Sequence, residues 1–266
     1  MDAVSSYLQR LRIGKEQPSL NYLQRLIQHH LSFIPYETFS KFHYYNQNHR
    51  DIPSFSVYVK NLEDRGWGGT CYSLNVNFAR LLQRLGFTCS FVRVLPGHAA
   101  IMVIMEGRRF YVDVGYGSPI IRPIELESRH RHVLHGFGEE IIFTNRNEKN
   151  FLLERRANGK TFVTKQIHWL PLTEEELKED ICASYQDADH NITMRRISAV
   201  RFNGNDCYFL RNHTLKVINY RHIKARHFQE KEQWKKAVAE SFQVDEQALE
   251  ESILFLEKRG VRLFAK

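Results

Sequence analysis

Three residues of this chain have the types and placement for covalent chemistry: Cys71, His98 and Asp113. Cys71 ends the stretch Arg65-Gly66-Trp67-Gly68-Gly69-Thr70-Cys71 and opens an apolar series, Leu74, Phe78, Leu81, Leu82 and Leu85, at helical spacing. The spacing predicts a buried helix whose first turn holds the thiol and which stops at Gly86. The first amides of a helix are unpaired and carry partial positive charge, so a thiol there ionises more readily. The thiolate is the nucleophilic form. His98 follows a Pro96-Gly97 turn, and Asp113 sits between Val112 and Val114 in the next apolar run. A hairpin turning near Gly107 brings the two to similar heights on adjacent strands, and a buried acid needs such a partner. Cys, His and Asp are the nucleophile, base and orienter of covalent acyl transfer. Each also has a plainer reading: Cys71 as a small core residue, His98 as a satisfied one, Asp113 as the close of a structural turn. Gly115-Tyr116-Gly117 then forms a small-residue turn open to close approach by a ligand.

The elements that must position these residues follow from periodicity. Residues 1–48 read as helical: a short helix around Tyr7, Leu8 and Leu11, and a second from Leu20 to Leu31, broken at Ile34-Pro35. Residues 44–53 read as a polar, aromatic loop. From Gly86 the period becomes two, with strands at 87–95, 98–105 and 109–114 joined by tight turns, the mark of antiparallel hairpins. Further strands are expected at 140–144, 150–156 and 161–167, with Asn158-Gly159 as a hairpin turn. A helix begins near Leu172, where Thr173 and Glu176 have the spacing of a capping box. Strands at 197–202, 206–210 and 214–220 and helices at 231–242 and 246–256 complete the chain. The breaks fall near 86 and 185. They divide the chain into a helical bundle carrying the thiol (1–85), a meandering sheet or barrel carrying His98 and Asp113 (86–185), and a mixed α/β part (186–266).

Composition narrows the function classes. With 42% hydrophobic and 26% charged residues, the 266-residue chain is ordinary for a globular protein. The net charge of +8 invites a nucleic-acid reading, but the basic residues are interspersed with acidic ones and no recognised nucleic-acid motif is present. A basic surface attracts a phosphorylated small ligand equally well. No apolar run approaches the roughly 20 residues of a membrane span. Cys71, Cys89, Cys182 and Cys207 include no C-x-x-C pair, His29-His30 and His130/His132 lack metal-ligand spacing, and no phosphate-binding glycine motif follows a strand. The expectation is a cytoplasmic protein with reduced thiols, no metal, and neither nucleic-acid nor membrane partners. Arg10 and Glu37 are expected to form a structural ion pair.

Four segments resemble the arylamine N-acetyltransferases. Tyr7-Leu8-Gln9-Arg10-Leu11 resembles the opening helix, and Leu31 to Glu37 the Ile-Pro-Phe-Glu-Asn segment. Gly68-Gly69-Thr70-Cys71, with Asn75, resembles the nucleophile segment. Tyr111 to Gly117 resembles Asp-Val-Gly-Phe-Gly. The resemblance runs from Tyr7 to the C-terminal helices and implies an α+β fold: an N-terminal helical bundle, a central antiparallel β-barrel and a C-terminal α/β lid around a cysteine-protease-like Cys-His-Asp core. It implies Cys71 as acetyl acceptor, His98 as base and Asp113 as orienter. It also implies acetyl-CoA as co-substrate and an arylamine or hydrazine as the small-molecule partner. Tyr72 and Tyr116 would line the amine pocket, and Gly117 would leave room for CoA. The chain departs from the pattern at Trp67, where the family has Arg, at Tyr36-Glu37-Thr38, at the short turn before His98, and at Tyr116, where the family has Phe. Competing readings are an amide synthase with a larger acyl group, a thiol hydrolase or transglutaminase-like enzyme with the same triad, and an inactive binding homologue.

Overall fold

The computed structural model describes residues 2–220 and 222–264. Met1, Arg221, Ala265 and Lys266, which belong to the expected segments 1–85 and 186–266, lie outside the described residues.

Five helices come first: α1 (Ala3–Leu11), α2 (Leu20–Phe33), α3 (Phe39–Asn46), α4 (Phe55–Arg65) and α5 (Cys71–Arg84), with a two-residue strand β1 (Tyr36–Glu37) between α2 and α3. Local chemistry sets their starts. Ser19 accepts a hydrogen bond from the Tyr22 amide at 3.1 Å and caps α2, and Ser54 caps α4 in the same way. The apolar series read along α5 is buried throughout, from Leu74 to Leu85. The loop expected at 44–53 is shorter than its composition suggests, because α3 runs on to Asn46. Tertiary packing outweighs weak helix propensity there: Phe42 stacks on Phe255 at 4.2 Å and Tyr45 meets the same ring edge-on.

Seven strands form the central sheet: β2 (Thr88–Leu95), β3 (His98–Met105), β4 (Arg108–Val112), β5 (Arg131–Gly136), β6 (Glu139–Asn147), β7 (Asn150–Ala157) and β8 (Lys160–Leu172). All pairings are antiparallel, in the order β4-β3-β2-β8-β7-β6-β5. Tyr111 of β4 and Phe143 of β6 lie five places apart in that order, yet their rings are 5.2 Å apart. Flat strands at about 4.8 Å spacing would hold them some five spacings apart, so the sheet curls on itself around a shared core. Among the described residues no ladder joins β4 to β5, so the expected barrel is an open half-barrel.

A 3-10 turn (Glu175–Leu177) and helix α6 (Lys178–Ser184) lead out of this sheet. The expected cap is present: the Thr173 amide donates to Glu176 Oε2 at 2.8 Å and the Glu176 amide returns the bond to Thr173 Oγ1. The helix itself starts later than read, because β8 continues to Leu172. The second sheet pairs β1, β9 (Ser198–Asn203), β10 (Asp206–Arg211), β11 (Thr214–Asn219) and β12 (His222–His227), backed by α7 (Lys231–Phe242) and α8 (Glu246–Glu257). β1 thus ties the N-terminal part to the C-terminal sheet, with Tyr36 opposite Val200. The expected α+β class holds.

Candidate active site

α5 delivers Cys71 as its first residue. The glycine approach is shaped by contact: a Cβ on Gly68 would lie 2.0 Å from the Pro35 carbonyl oxygen. The Glu37 amide donates to the Gly69 carbonyl at 2.9 Å, which ties the loop to β1. Trp67 is buried and explains its own presence. Its Nε1 donates to Asp245 at 2.9 Å, its ring lies under the Arg65 guanidinium at 3.9 Å, and Asp245 also caps α8. Trp67 therefore clamps the glycine loop to the α7–α8 turn. No Arg10–Glu37 ion pair forms. The Glu37 carboxylate instead accepts from the Ser40 amide and hydroxyl at 2.9 and 2.6 Å, while Arg10 Nε and Nη2 have no protein partner.

β3 begins at His98, as read, and β4 ends at Val112, so Asp113 stands just past the strand rather than within it. The β3–β4 register sets Ile101 opposite Val112, and the chain leaving β4 carries Asp113 back to His98. His98 Nε2 is 2.7 Å from Asp113 Oδ2, with the two residues 3% and 1% exposed. Asp113 also accepts from Asn75 Nδ2 at 2.9 Å, from the Tyr111 hydroxyl at 2.8 Å and from the Gly115 amide at 3.0 Å. Asn75, one turn along α5 from Cys71, donates to the Ala99 carbonyl and accepts from the Val114 amide as well. One side chain thereby locks the Cys71 helix to β3 and to the chain leaving β4. A Cβ on Gly115 would lie 2.7 Å from the Cys71 carbonyl, so this turn packs directly on the helix start.

The electrostatics follow. Burial raises the Asp113 carboxyl, but the charge and hydrogen bond of His98, with the bonds from Asn75 and Tyr111, hold it below the usual carboxylate range. Burial lowers His98, and the Asp113 charge and hydrogen bond, with those of Cys71, reverse this and push it to about 9. Burial raises the Cys71 thiol. The hydrogen bond and charge of His98, with the charge of Lys41, outweigh it, and the thiol lies below its ordinary value. With Nε2 given to Asp113, Nδ1 is the His98 nitrogen left for Cys71. A thiolate–imidazolium pair of this kind is a nucleophile with its proton carrier in place.

Cys71 is half-buried and opens onto a cavity of about 550 Å³, which it lines together with Lys41, Thr70, Tyr72, Gly97 and residues of the 180–193 segment. Tyr72 thus faces the same space as the thiol. Tyr116 packs its ring on His98 at 4.8 Å, under the Arg155 guanidinium, with its hydroxyl buried and unpartnered. Gly117, at φ 61°, lies against Val200 and the Tyr36 ring. Neither Tyr116 nor Gly117 borders the cavity beside the thiol. The sequence reading gave no role to Asn75, Tyr111 or Lys41. Tyr111 and Asp113 share strand parity, and Lys41 lies with Ser40 between Phe39 and Phe42. Among the described residues no cluster of three metal-ligating side chains occurs, and no helix is long and apolar enough to cross a membrane.

This combination of helices, curled sheet and mixed α/β part is shared with solved arylamine N-acetyltransferases. The enzyme of Mycobacterium smegmatis is 22% identical, with a TM-score of 0.80 over 97% of this chain and 98% of that one. That of Mycobacterium marinum, solved in complex with CoA, is 18% identical, with a TM-score of 0.79 over 96% of this chain and 98% of that one. Among curated proteins, the proansamycin X synthase of Amycolatopsis mediterranei is 27% identical over 240 residues, 82% of this chain and 88% of that protein. A family model described as N-acetyltransferase matches residues 19–250. The chain belongs to this family, the arylamine N-acetyltransferases, and is an acyltransferase.

Proposed function

We propose that the protein transfers an acetyl group from acetyl-CoA to the nitrogen of an arylamine or hydrazine through an acetyl-Cys71 intermediate. The observation that carries the reading is the buried His98–Asp113 pair hydrogen-bonded beside a half-buried Cys71 at a cavity mouth. Family membership and the CoA complex of the M. marinum relative support the donor. The thiolate attacks the thioester carbonyl, and the tetrahedral intermediate expels the CoA thiolate, which takes the proton of the His98 imidazolium. Amides at the start of α5, where the Thr70 side chain makes no cap bond, would face the oxyanion. The amine then attacks the acyl group, neutral His98 takes its proton, and the Cys71 thiolate leaves, regenerating the ion pair. Asp113 keeps Nε2–H bound, so that Nδ1 is the working nitrogen. In this reading residues 1–85 supply the nucleophile, 86–185 the base and acid, and 186–266 the cover.

Incubation with acetyl-CoA alone is expected to place one acetyl group on Cys71, seen by peptide mass spectrometry and discharged on addition of an arylamine. An unmodified Cys71, or CoA release continuing beyond one equivalent per protein without any amine, would sink the reading. A synthase reading, with an acyl group larger than acetyl on Cys71, is favoured by the likeness to proansamycin X synthase. Rates across acyl-CoA chain lengths separate the two.

A further inference from the structure

Lys41, on α3, is 3% exposed and borders the same cavity as Cys71. Its Nζ donates to the Ser184 carbonyl at 2.7 Å and to Thr193 Oγ1 at 2.8 Å, two neutral oxygens on the segment that walls the cavity. Among the described residues no carboxylate lies within ion-pair distance of it, and Nζ sits 4.9 Å from the Tyr185 ring centroid. An ammonium has three hydrogens to give, and two are placed. A buried charge without a counter-ion is costly, and its usual resolution is a paired anion. Of the other ionisable lining groups, only the Cys71 thiolate is an anion acting on it, and acylation of Cys71 removes that charge. Asp180 is engaged by Arg93 at 2.8 Å, and His190 carries no negative charge. Burial pulls the Lys41 ammonium down to about 8, so it remains largely charged at neutral pH, and the Cys71 thiolate favours that charge.

We propose that Lys41 is an anion-recognition residue, and that the cavity takes a substrate carrying a carboxylate, which lies on Lys41 while the reacting atom lies at Cys71. The carboxylate arrives either on the amine or on the acyl group, and the tests distinguish these two sources. Only the turnover tests rest on the transferase reading above. Reagent attack on Cys71 does not.

The first measurement is alkylation of Cys71 by iodoacetate and by iodoacetamide, followed by mass spectrometry, with the rate ratio normalised to that of N-acetylcysteine. Lys41→Met is expected to lower the iodoacetate preference about tenfold, the scale of one charge removed from a partly desolvated site. Loosening of the 184–193 segment would change both reagents alike and leave the ratio fixed. The second measurement is turnover by the unaltered protein of matched pairs: 4-aminobenzoate against 4-aminobenzamide with acetyl-CoA, and succinyl-CoA against butyryl-CoA with a neutral arylamine. A preference for the anion in the first pair assigns the carboxylate to the amine, and in the second to the acyl group. An unchanged alkylation ratio in folded Lys41→Met overturns the proposal. So does turnover of both pairs without preference for the anion, which decides the matter even where the variant does not fold. Absence of all turnover with the alkylation contrast intact defeats the transferase reading and supports the anion site.

Discussion

Two buried carboxylates flank the start of the Cys71 helix, and their surroundings push their titration in opposite directions. At the β3–β4 end, Asp113 has four donors, one of them His98, and stays ionised. At the β1–α3 corner, Glu37 accepts from the Ser40 amide and hydroxyl, with the Gly69 and Phe39 amides as weaker partners and no cation, and burial raises its carboxyl above the usual range. Depth is the same in both places. What differs is the set of groups facing the acid: a cation and three dipoles keep Asp113 charged, whereas dipoles without a cation make Glu37 a structural staple between a turn and a helix.

Replacement of each acid by its amide is the sharpest way to test this contrast. Asp113→Asn is expected to lower kcat/KM for acetyl transfer on the order of 10³-fold, because the amide favours the wrong His98 tautomer. Glu37→Gln is expected to keep most activity. Equal losses in steady-state assays would erase the distinction. Asn75→Ala removes three hydrogen bonds shared among α5, β3 and the Asp113 turn. Its expected cost is about 1–3 kcal/mol in denaturant unfolding, with kcat falling more than KM rises.

The cysteines extend the same comparison. Burial pushes the Cys89 and Cys207 thiols up to about 12, whereas His98 holds that of Cys71 down. Iodoacetamide at about pH 6 is therefore expected to modify Cys71 well ahead of Cys89 and Cys207, with peptide mapping as the readout, and Asp113→Asn to slow it. At the clamp, Trp67→Phe keeps an aromatic face, loses the bond to Asp245 and leaves a small cavity, an expected loss of about 1–3 kcal/mol in thermal unfolding with little change in rate.

The smallest effects are those of pH on stability. His98 is raised, so its contribution is complete below its ordinary 6.5 and is lost as pH rises through about 9. Asp113 is lowered, so its contribution is present above its ordinary 3.8 and is lost as pH falls through its folded value. Glu37 is raised, so its contribution is present below its ordinary 4.5 and lost above. Glu37→Gln is accordingly expected to raise Tm slightly at neutral pH and not in acid. A gain at both would mean that Glu37 is not strained by ionisation.

Much of this was legible in the residues. Cys71, with its helix from Leu74 to Leu85, and His98 at a strand start were readable because apolar period and turn chemistry agree there. The sheet at 131–136 and 222–227 was not: β12 is exposed along its length, so no alternation marks it. The curl of the central sheet was expected as a barrel, but its open edge between β4 and β5 was not legible, since it depends on how strands distant in sequence share one core. Trp67 reads as a departure from the family pattern and is a local solution, a ring and one N–H in place of a guanidinium. Lys41 was hidden because a lysine beside phenylalanines gives no sign, in one dimension, of pointing inward.

The Tyr111 side chain reaches two places at once. Its hydroxyl bonds Asp113, and its ring packs in the half-barrel core 6.3 Å from that of Trp169. Trp169 is fully buried, with its Nε1 free of any protein partner. The molecule thus carries an intrinsic optical gauge. With Trp67 and Trp234 replaced by Phe, emission from that indole is expected to report, through one phenol, the protonation of the acid behind His98, without any label or substrate.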